Sequence, residues 1–415
     1  MADEVPQGLS RDEKYRLKGI VLTTFTPGRP VNNLDLLAGR DEQINKVLEA
    51  VLSPGQHAAI YGERGVGKSS LANLIYDMVF ATGKQTFIPV RMNCSASISF
   101  PEIWAEIFRQ LESQSDSKNL LSQLPEHSPN SEDIRAILHQ VDRPSIIVID
   151  EYDRVDESVA VPIADTIKTL SDRDINATLV LVGVANSVQQ LIREHSSIDR
   201  ALIQIQMPRM SESELIDIVT KGMARLPELA LEDGLDQRMA NVSKGLPHFT
   251  HLLAKHAVLA SIESGHSIVT SRDYEKALKS AAEEKSQSLG HLYRTATHSS
   301  KENIFEEVLL ACALATDEQG LFGAKDVRSP LSRILNRQMK IEAYIRHLDK
   351  FSQPERGPAL KKEGQKRKIQ YSFVEPMMQP YVLMKGLSEK KITEEQLGVL
   401  SSAPLQPSLS FAQSI

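Results

Sequence analysis

The fold prediction for this chain starts from one glycine-rich stretch, Gly62-Glu63-Arg64-Gly65-Val66-Gly67-Lys68-Ser69. It fits the pattern G-x-x-x-x-G-K-[ST], whose glycines let backbone N–H groups point inward at phosphate groups. An apolar strand at 58–61 precedes it and a helix at 69–80 follows, so the positive end of that helix adds to the attraction. We predict a phosphate-binding loop that extends to Ser70, in which Lys68 reaches the β- and γ-phosphates and the Ser69 hydroxyl holds Mg²⁺. A glycine turn that carries a lysine by chance is the alternative.

A pair of carboxylates supplies the second motif. The apolar run 146–149 ends in Asp150 and Glu151, 82 residues after Lys68. Ligands of parallel sheets bind at the carboxyl ends of the strands, where these two side chains would stand. We predict that Asp150 fixes Mg²⁺ through water and that Glu151 polarises the attacking water as a general base. Such a run alone often marks only a strand that meets solvent, but together the two motifs predict nucleotide hydrolysis.

The periodicity of the chain predicts an α/β fold. Apolar strands at 58–61, 87–92, 145–149, 178–184 and 202–207 alternate with helical patterns, which implies a parallel sheet covered on both faces. The predicted organisation is a flexible N-terminal arm or a short first helix at 1–19, a core at 20–207, a helical lid at 208–287, a third domain at 301–387 and a flexible tail at 388–415. The polar stretch 286–300 is predicted to be a hinge.

Composition excludes several classes of protein. The chain has 415 residues, a net charge of −6 and two cysteines, so it is neither a uniformly basic nucleic-acid coat nor a disulfide scaffold. Its longest strictly apolar run, 308–315, is far shorter than the roughly 20 residues of a membrane span. The N-terminus lacks the charged and apolar regions of a secretory signal. We therefore expect a cytoplasmic protein with no membrane partner.

On these two motifs, the sequence resembles AAA+ ATPases, most closely the origin-recognition type of archaea and bacteria. Asp-Glu-Tyr-Asp153 is similar to that family's Asp-Glu-x-Asp, and the resemblance covers roughly residues 30–387. It implies a parallel-sheet P-loop AAA+ ATPase core, an all-α lid and a C-terminal winged-helix domain. It also implies ATP and Mg²⁺ as cofactors and a homo-oligomer with ATP at the subunit interfaces.

The resemblance assigns roles to several further residues. Asn186, after the fourth strand, would hydrogen-bond the γ-phosphate or the attacking water, unless it only forms a turn. Arg200 stands about where the family places its arginine finger, with Arg193 as the second candidate, and a surface salt bridge is the alternative for either. Gly39 and Arg40 resemble the segment beside the adenine, although Arg40 could be purely structural.

The lid departs from the origin-recognition pattern. The family's sensor-2 arginine is missing from Gly245-Leu-Pro-His248, which instead resembles the Gly-x-Pro motif of signal-transduction ATPases of the STAND group. His248 then either contacts the nucleotide or is an ordinary helix residue. This departure implies a slow, switch-like ATPase.

The C-terminal part is basic within an acidic chain. Residues 321–370 carry 13 Lys or Arg against 5 Asp or Glu, a net charge of +8, and the rest of the chain carries −14. Three predicted helices followed by a hairpin at 360–373 are similar to a winged helix. The predicted contacts with the duplex DNA backbone are Arg346, Lys350, Lys366, Arg367 and Lys368. Winged helices also dock proteins, which is the alternative.

Two functions follow from these patterns. The first is an ATP-binding, slowly hydrolysing AAA+ switch or oligomer that contacts duplex DNA through its C-terminal winged helix. The alternative is a STAND-like signalling or defence ATPase whose winged helix docks a separately encoded effector protein.

Overall fold

The five predicted strands form one parallel sheet. We use a computed structural model, which describes residues 9–83, 87–126, 128–173, 175–185, 187–192, 198, 200–300, 303–364 and 369–398. The strands lie in the order β2-β3-β4-β1-β5, and every neighbouring pair is parallel. Their bounds are β1 (His57–Gly62), β2 (Ile88–Asn93), β3 (Ser145–Asp150), β4 (Ala177–Val184) and β5 (Leu202–Gln206). The sheet therefore places β4 between the strand of the glycine-rich loop and the strand of the acidic pair.

Helices surround this sheet. β1 and β3 are buried along their whole length, which is why both are continuously apolar. A core of aromatic and aliphatic side chains, including the fully buried Trp104 and Phe108, joins the sheet to its helices. The helices of this part of the chain are α1 (Arg11–Thr24), α2 (Asp41–Leu52), α3 (Lys68–Asn73), α4 (Ile75–Ala81), α5 (Phe100–Gln114), α6 (Ser131–Leu138), α7 (Glu157–Asp172), α8 (Val188–Leu191) and α9 (Glu212–Met223), and the core cluster includes side chains of α5 to α8.

The described chain divides into two compact units. One consists of residues 9–230 and 245–255 and contains the parallel sheet. The other consists of residues 231–244 and 256–398. The remaining helices are α10 (Leu235–Ser243), α11 (Pro247–Ser264), α12 (Ser271–Ser286), α13 (Gly290–Thr297), α14 (Phe305–Ala315), α15 (Arg328–Ile334), α16 (Ile341–Phe351), α17 (Met378–Ser388) and α18 (Glu394–Gly398).

The second unit also contains an antiparallel sheet. β8 (Leu321–Gly323), β9 (Leu360–Glu363) and β10 (Gln370–Phe373) pair in the order β8-β10-β9. In the chain, α14, β8, α15, α16, β9 and β10 follow one another. Tyr344 of α16 is fully buried and donates a hydrogen bond to the backbone oxygen of Ala324 at 2.7 Å, so α16 is fixed against the turn after β8.

α18 closes onto α10 within the second unit. The Arg238 guanidinium of α10 binds the Glu394 carboxylate twice, at 2.5 and 2.9 Å. The same guanidinium lies 4.5 Å from the ring centre of the buried Tyr274. Ile392 and Leu397 are buried beside this ion pair. The segment around α18 is therefore packed into the unit.

The structure refines the predicted organisation at four places. Of the two alternatives at the N-terminus, the short first helix is present as α1, which a Ser10–Glu13 capping box starts and in which Leu17 and Val21 are buried. The tail from 388 contains α18, and the hinge at 286–300 contains α13. The lid at 208–287 is not all-α, since it contains the short paired strands β6 (Ala230–Leu231) and β7 (Ile268–Val269). It is also not one body, because its residues are shared between the two units. No helix of the described segments is both long and apolar enough to cross a membrane.

Candidate functional site

The glycine-rich loop connects the end of β1 to the start of α3. Gly67, which caps α3, has φ = 97°, in the left-handed region that glycine adopts without strain. Gly62 is constrained by space, because a Cβ there would lie 2.4 Å from the backbone oxygen of Met207. Glycine at these two positions thus lets the loop turn tightly beneath the β5 edge and present α3 by its N-terminus.

Lys68 points back into this loop. Its ammonium donates hydrogen bonds to the backbone oxygens of Gly62 and Glu63 at 3.0 and 2.7 Å, and the residue is 8% exposed. Burial lowers its pKa to about 8, and the nearby carboxylates of Asp153 and Asp150 partly oppose that shift. A buried ammonium with only partial compensation favours an anion, so the loop is suited to phosphate.

Asp150 and Glu151 separate at the end of β3. Asp150 is 5% exposed; one carboxylate oxygen accepts the Glu151 N–H at 2.8 Å, and the other accepts from the Arg91 guanidinium at 2.7 Å. Glu151 has φ = 55°, so the chain turns and its exposed carboxylate pairs with Arg154 at 2.6 Å. The two acids therefore have different surroundings, one buried and fixed, the other in solvent.

The donors present fit a magnesium ion. Ser69 is half-buried in the first turn of α3, and Asp150 is a buried carboxylate whose charge acts on Lys68. Hydroxyl and carboxylate oxygens are the donors that Mg²⁺ takes when it also binds phosphates. Asp153 joins this edge to the next strand, because its carboxylate accepts the Val184 N–H at 2.8 Å.

Arg40 is a buried structural cation of the loop. It is 4% exposed, and its guanidinium donates to the backbone oxygens of Val66 and Pro208 at 2.9 and 2.8 Å. Burial lowers its pKa, and Glu214 opposes that shift. Gly39 lies tightly against the same Glu214, whose carboxylate would be 2.3 Å from a Cβ at Gly39. These contacts support the structural alternative for Arg40.

The Gly245-Leu-Pro turn lies against the loop. A Cβ on Gly67 would be 3.9 Å from Cγ of Pro247, the first residue of α11. Gly245 has φ = 80°, and a Cβ there would lie 2.5 Å from that of Arg209. His248 is half-buried in the first turn of α11.

Several predicted residues do not join this cluster. Arg200 is exposed immediately before β5. Arg346 and Lys350 are exposed on α16 in the second unit. Predictions for the remaining positions fall outside the described residues: Asn186, Arg193, Lys366, Arg367 and Lys368.

Three residues near the loop were not predicted. Arg91 and Asn73 are joined by a hydrogen bond of 2.7 Å, and Arg91 also reaches Asp150. Arg209 donates to the Glu63 carboxylate at 2.9 Å with a side chain that is only 7% exposed. The one available signal was an arginine inside the otherwise apolar strand at 87–92.

Comparisons with known proteins identify one matching family and several structures of similar fold. An AAA domain family matches residues 52–192. The Walker-type ATPase paby2304 of Pyrococcus abyssi is similar in fold, with a TM-score of 0.52, 15% identity, and coverage of 87% of this chain and 99% of that one. Cdc6p from Pyrobaculum aerophilum has a TM-score of 0.46 at 14% identity, covering 90% of this chain and 99% of that one. The Aeropyrum pernix ORC1 protein in complex with DNA has a TM-score of 0.47 at 14% identity, and the match covers 89% of this chain and 98% of that one.

No curated protein sequence matches the chain. The AAA match begins near the end of α2 and ends after α8, so it contains the glycine-rich loop, Asp150 and Glu151. It covers the strands β1 to β4, which are the four strands that surround the predicted phosphate and magnesium positions. Over residues 52–192, this chain is similar to the AAA domain family.

Proposed function

We propose that this chain binds ATP with Mg²⁺ and hydrolyses the nucleotide slowly. The observation that carries the proposal is Lys68, buried in a glycine-rich loop and electrostatically coupled to Asp150 and Asp153. Its ammonium would neutralise the terminal phosphates, and Ser69 with Asp150 would hold Mg²⁺, which supplies further positive charge there. The exposed Glu151 would take the proton of the attacking water.

Two contacts support slow turnover. The Glu151 carboxylate forms an ion pair with Arg154 at 2.6 Å, so the general base must leave a partner before it can orient water. The lid turn at Gly245-Leu-Pro brings a proline rather than an arginine toward the loop. The site would therefore carry less positive charge than one with a lid arginine, and such charge is what stabilises the transferring phosphoryl group.

Glu151→Gln tests the hydrolytic role. We expect a fluorescent ATP analogue to bind as it does to wild type, while phosphate release falls by about 100-fold or more. Glu157→Gln, an exposed position at the start of α7, is the matched control and should keep both properties. Hydrolysis by Glu151→Gln at the wild-type rate would show that another group is the base.

A homo-oligomer with Arg200 acting between subunits is part of the proposal. Its support is the exposed position of Arg200 directly before β5. Arg200→Ala should keep nucleotide binding and lose hydrolysis, whereas Lys68→Ala should lose binding. Mixing the two inactive variants should restore part of the activity, because Arg200→Ala supplies an intact nucleotide site and Lys68→Ala supplies an intact Arg200. A mixture that stays inactive at concentrations where wild type is active would contradict action in trans.

The second unit is proposed to contact duplex DNA through a winged helix. The order α14-β8-α15-α16-β9-β10, with a three-stranded antiparallel sheet, supports that fold. Arg346 and Lys350 are exposed on α16 within the segment of net charge +8. Exposed cations concentrated on one module are the usual electrostatic footprint of phosphate-backbone binding. Fluorescence anisotropy with a labelled duplex at several salt concentrations tests this directly.

One contact favours the second candidate, a STAND-like signalling or defence ATPase. Pro247 lies against Gly67, so the Gly-Leu-Pro turn would be close to phosphates bound in the loop. In that case the winged helix would dock a separately encoded effector. Protein that assembles on addition of ATP but shows no salt-dependent duplex binding in any nucleotide state would favour this candidate.

A further inference from the structure

Arg91 joins the two elements that form the predicted magnesium position. It lies in β2, opposite Val148 of β3. One guanidinium nitrogen donates to the Asp150 carboxylate and another to the Asn73 side-chain oxygen, each at 2.7 Å. Asn73 ends α3, the helix that begins at Lys68. A single side chain therefore connects the phosphate helix with the acidic end of β3.

The backbone of Arg91 is held in place by a neighbouring helix. Its N–H donates to the side-chain oxygen of Gln110 at 3.2 Å, and the Gln110 amide donates back to the Arg91 carbonyl at 3.0 Å. Gln110 belongs to α5 and also donates to Glu106 at 2.8 Å. Because both backbone groups bind Gln110, the fold defines the point from which the Arg91 side chain extends.

The contact between Arg91 and Asp150 places a permanent cation against the carboxylate that is predicted to bind Mg²⁺. One Asp150 oxygen accepts the Glu151 N–H, so Arg91 occupies the other. Arginine stays protonated at all working pH values. The Asp150 carboxylate is only 7% exposed, so water screens the pair weakly. A divalent cation approaching Asp150 must overcome this positive charge.

Arg91 also has room to leave. Its side chain is 31% exposed, and it lines an open groove of about 460 Å³ beside β2. The same groove is lined by Glu102 and Glu106, so a displaced guanidinium would remain near carboxylates. Departure from Asp150 would therefore not leave the arginine in an apolar environment.

We propose that Arg91 is an internal counter-cation of Asp150 that competes with Mg²⁺ and so sets how much magnesium the nucleotide site requires. This inference rests on the proposed nucleotide function. It makes Arg91 a positioning residue, since it acts on the metal position through Asp150. With Arg91 in place, Mg²⁺ adds little to nucleotide affinity; without it, Mg²⁺ binds at lower concentration and adds more.

The test is a magnesium titration of nucleotide binding. A fluorescent ADP analogue is bound to wild type and to Arg91→Gln in EDTA and then at rising Mg²⁺. We expect Arg91→Gln to lower the half-effective Mg²⁺ concentration about tenfold and to raise the ratio of the Kd in EDTA to the Kd at saturating Mg²⁺ by a similar factor. A purely structural role would instead weaken binding equally in both conditions.

Three variants complete the design. Arg109→Gln removes an exposed arginine from α5 and should behave as wild type. Arg91→Lys keeps the charge but cannot hold Asn73 and Asp150 together, so its magnesium requirement should lie between those of wild type and Arg91→Gln. It also replaces Arg91→Gln in the test if that variant does not fold. In an Asp150→Asn background, Arg91→Gln should no longer lower the requirement.

The outcomes separate the two levels of the argument. An unchanged or smaller Kd ratio in Arg91→Gln, or an equal shift in the Asp150→Asn background, would overturn the role of Arg91 while nucleotide binding stands. Wild-type protein that binds the analogue in neither condition would contradict the nucleotide function together with the inference built on it.

Discussion

The glycine-rich loop and the C-terminal basic segment both depend on lysine and arginine, but they hold these cations differently. Around the loop, Lys68 and Arg40 are at most 8% exposed, the side chain of Arg209 is 7% exposed, and all three are fixed by backbone or carboxylate oxygens. In the basic segment, Arg346 and Lys350 lie in solvent, and Lys362 forms a surface pair with Asp349.

This difference indicates two kinds of electrostatic function. A buried cation acts through a few defined contacts, so its interaction energy depends on distance and desolvation. Exposed cations are screened by salt and act by their number, which suits a long polyanion. The loop should therefore respond strongly to single substitutions, and the basic segment should respond weakly and additively.

The largest effect is expected from the protonation of Lys68. Burial lowers its pKa to about 8 from the usual 10.5, so the unfolded chain binds more protons between these pH values. The free energy of unfolding should therefore rise between pH 8 and 10.5, by up to about 3 kcal/mol from this group. Urea denaturation of nucleotide-free wild type and Lys68→Met at pH 7.5 and 9.5 measures most of the rise as the difference between the two proteins. The same rise in Lys68→Met would assign it to another group.

The next effect concerns Arg40. Arg40→Met leaves the backbone oxygens of Val66 and Pro208 without their guanidinium donor, which should lower the free energy of unfolding by about 2 kcal/mol. Lys46→Met, on the exposed side of the neighbouring α2, removes an i,i+4 pair with Glu42 and should change little. Chemical denaturation compares the two. Equal effects would remove the distinction between buried and exposed cations.

Duplex binding should depend on the basic segment more modestly. Arg346→Ala with Lys350→Ala is expected to weaken duplex affinity about tenfold and to reduce the slope of log Kd against log salt by about 2. Lys46→Ala with Lys168→Ala removes the same charge from a half-exposed and an exposed position of the first unit and is the control. A slope that changes equally in both double variants would show that only net charge matters.

The smallest effect is expected at Lys362. Its bond to Asp349 is 2.7 Å long, but the two side chains are 40% and 45% exposed. Lys362→Ala should therefore change the free energy of unfolding by less than about 0.5 kcal/mol. Thermal denaturation of the full chain checks this. A loss as large as that of Arg40→Met would mean that the basic segment also contains a rigid ion pair.

The sequence predicted the elements whose pattern is local. The strands β1 and β3 are apolar throughout because both faces are buried, so their bounds agree with the structure within a residue or two. The fixed spacing of glycines and Lys68 located the loop. The first helix was predicted only as one of two alternatives, because polar residues dominate it and only Leu17, Val21 and Thr24 are buried.

The contacts between distant residues could not be predicted in the same way. Arg91 and Asp150 are 59 positions apart and meet only because β2 pairs with β3. Arg209 reaches Glu63 across 146 positions. Periodicity gives the direction of a side chain relative to its own strand, but the order of strands in the sheet decides which side chains become neighbours.

The ion pair between Arg238 and Glu394 has a consequence for the order in which the protein forms during synthesis. The parallel sheet is complete once β5 has emerged from the ribosome, so the first unit can begin to fold early. Arg238 must wait for a partner 156 positions later in the chain. At ~5–20 residues per second this wait is roughly 10–30 seconds, during which α10 lacks its final packing partner. The growing chain would then carry a folded sheet beside an unfinished second unit.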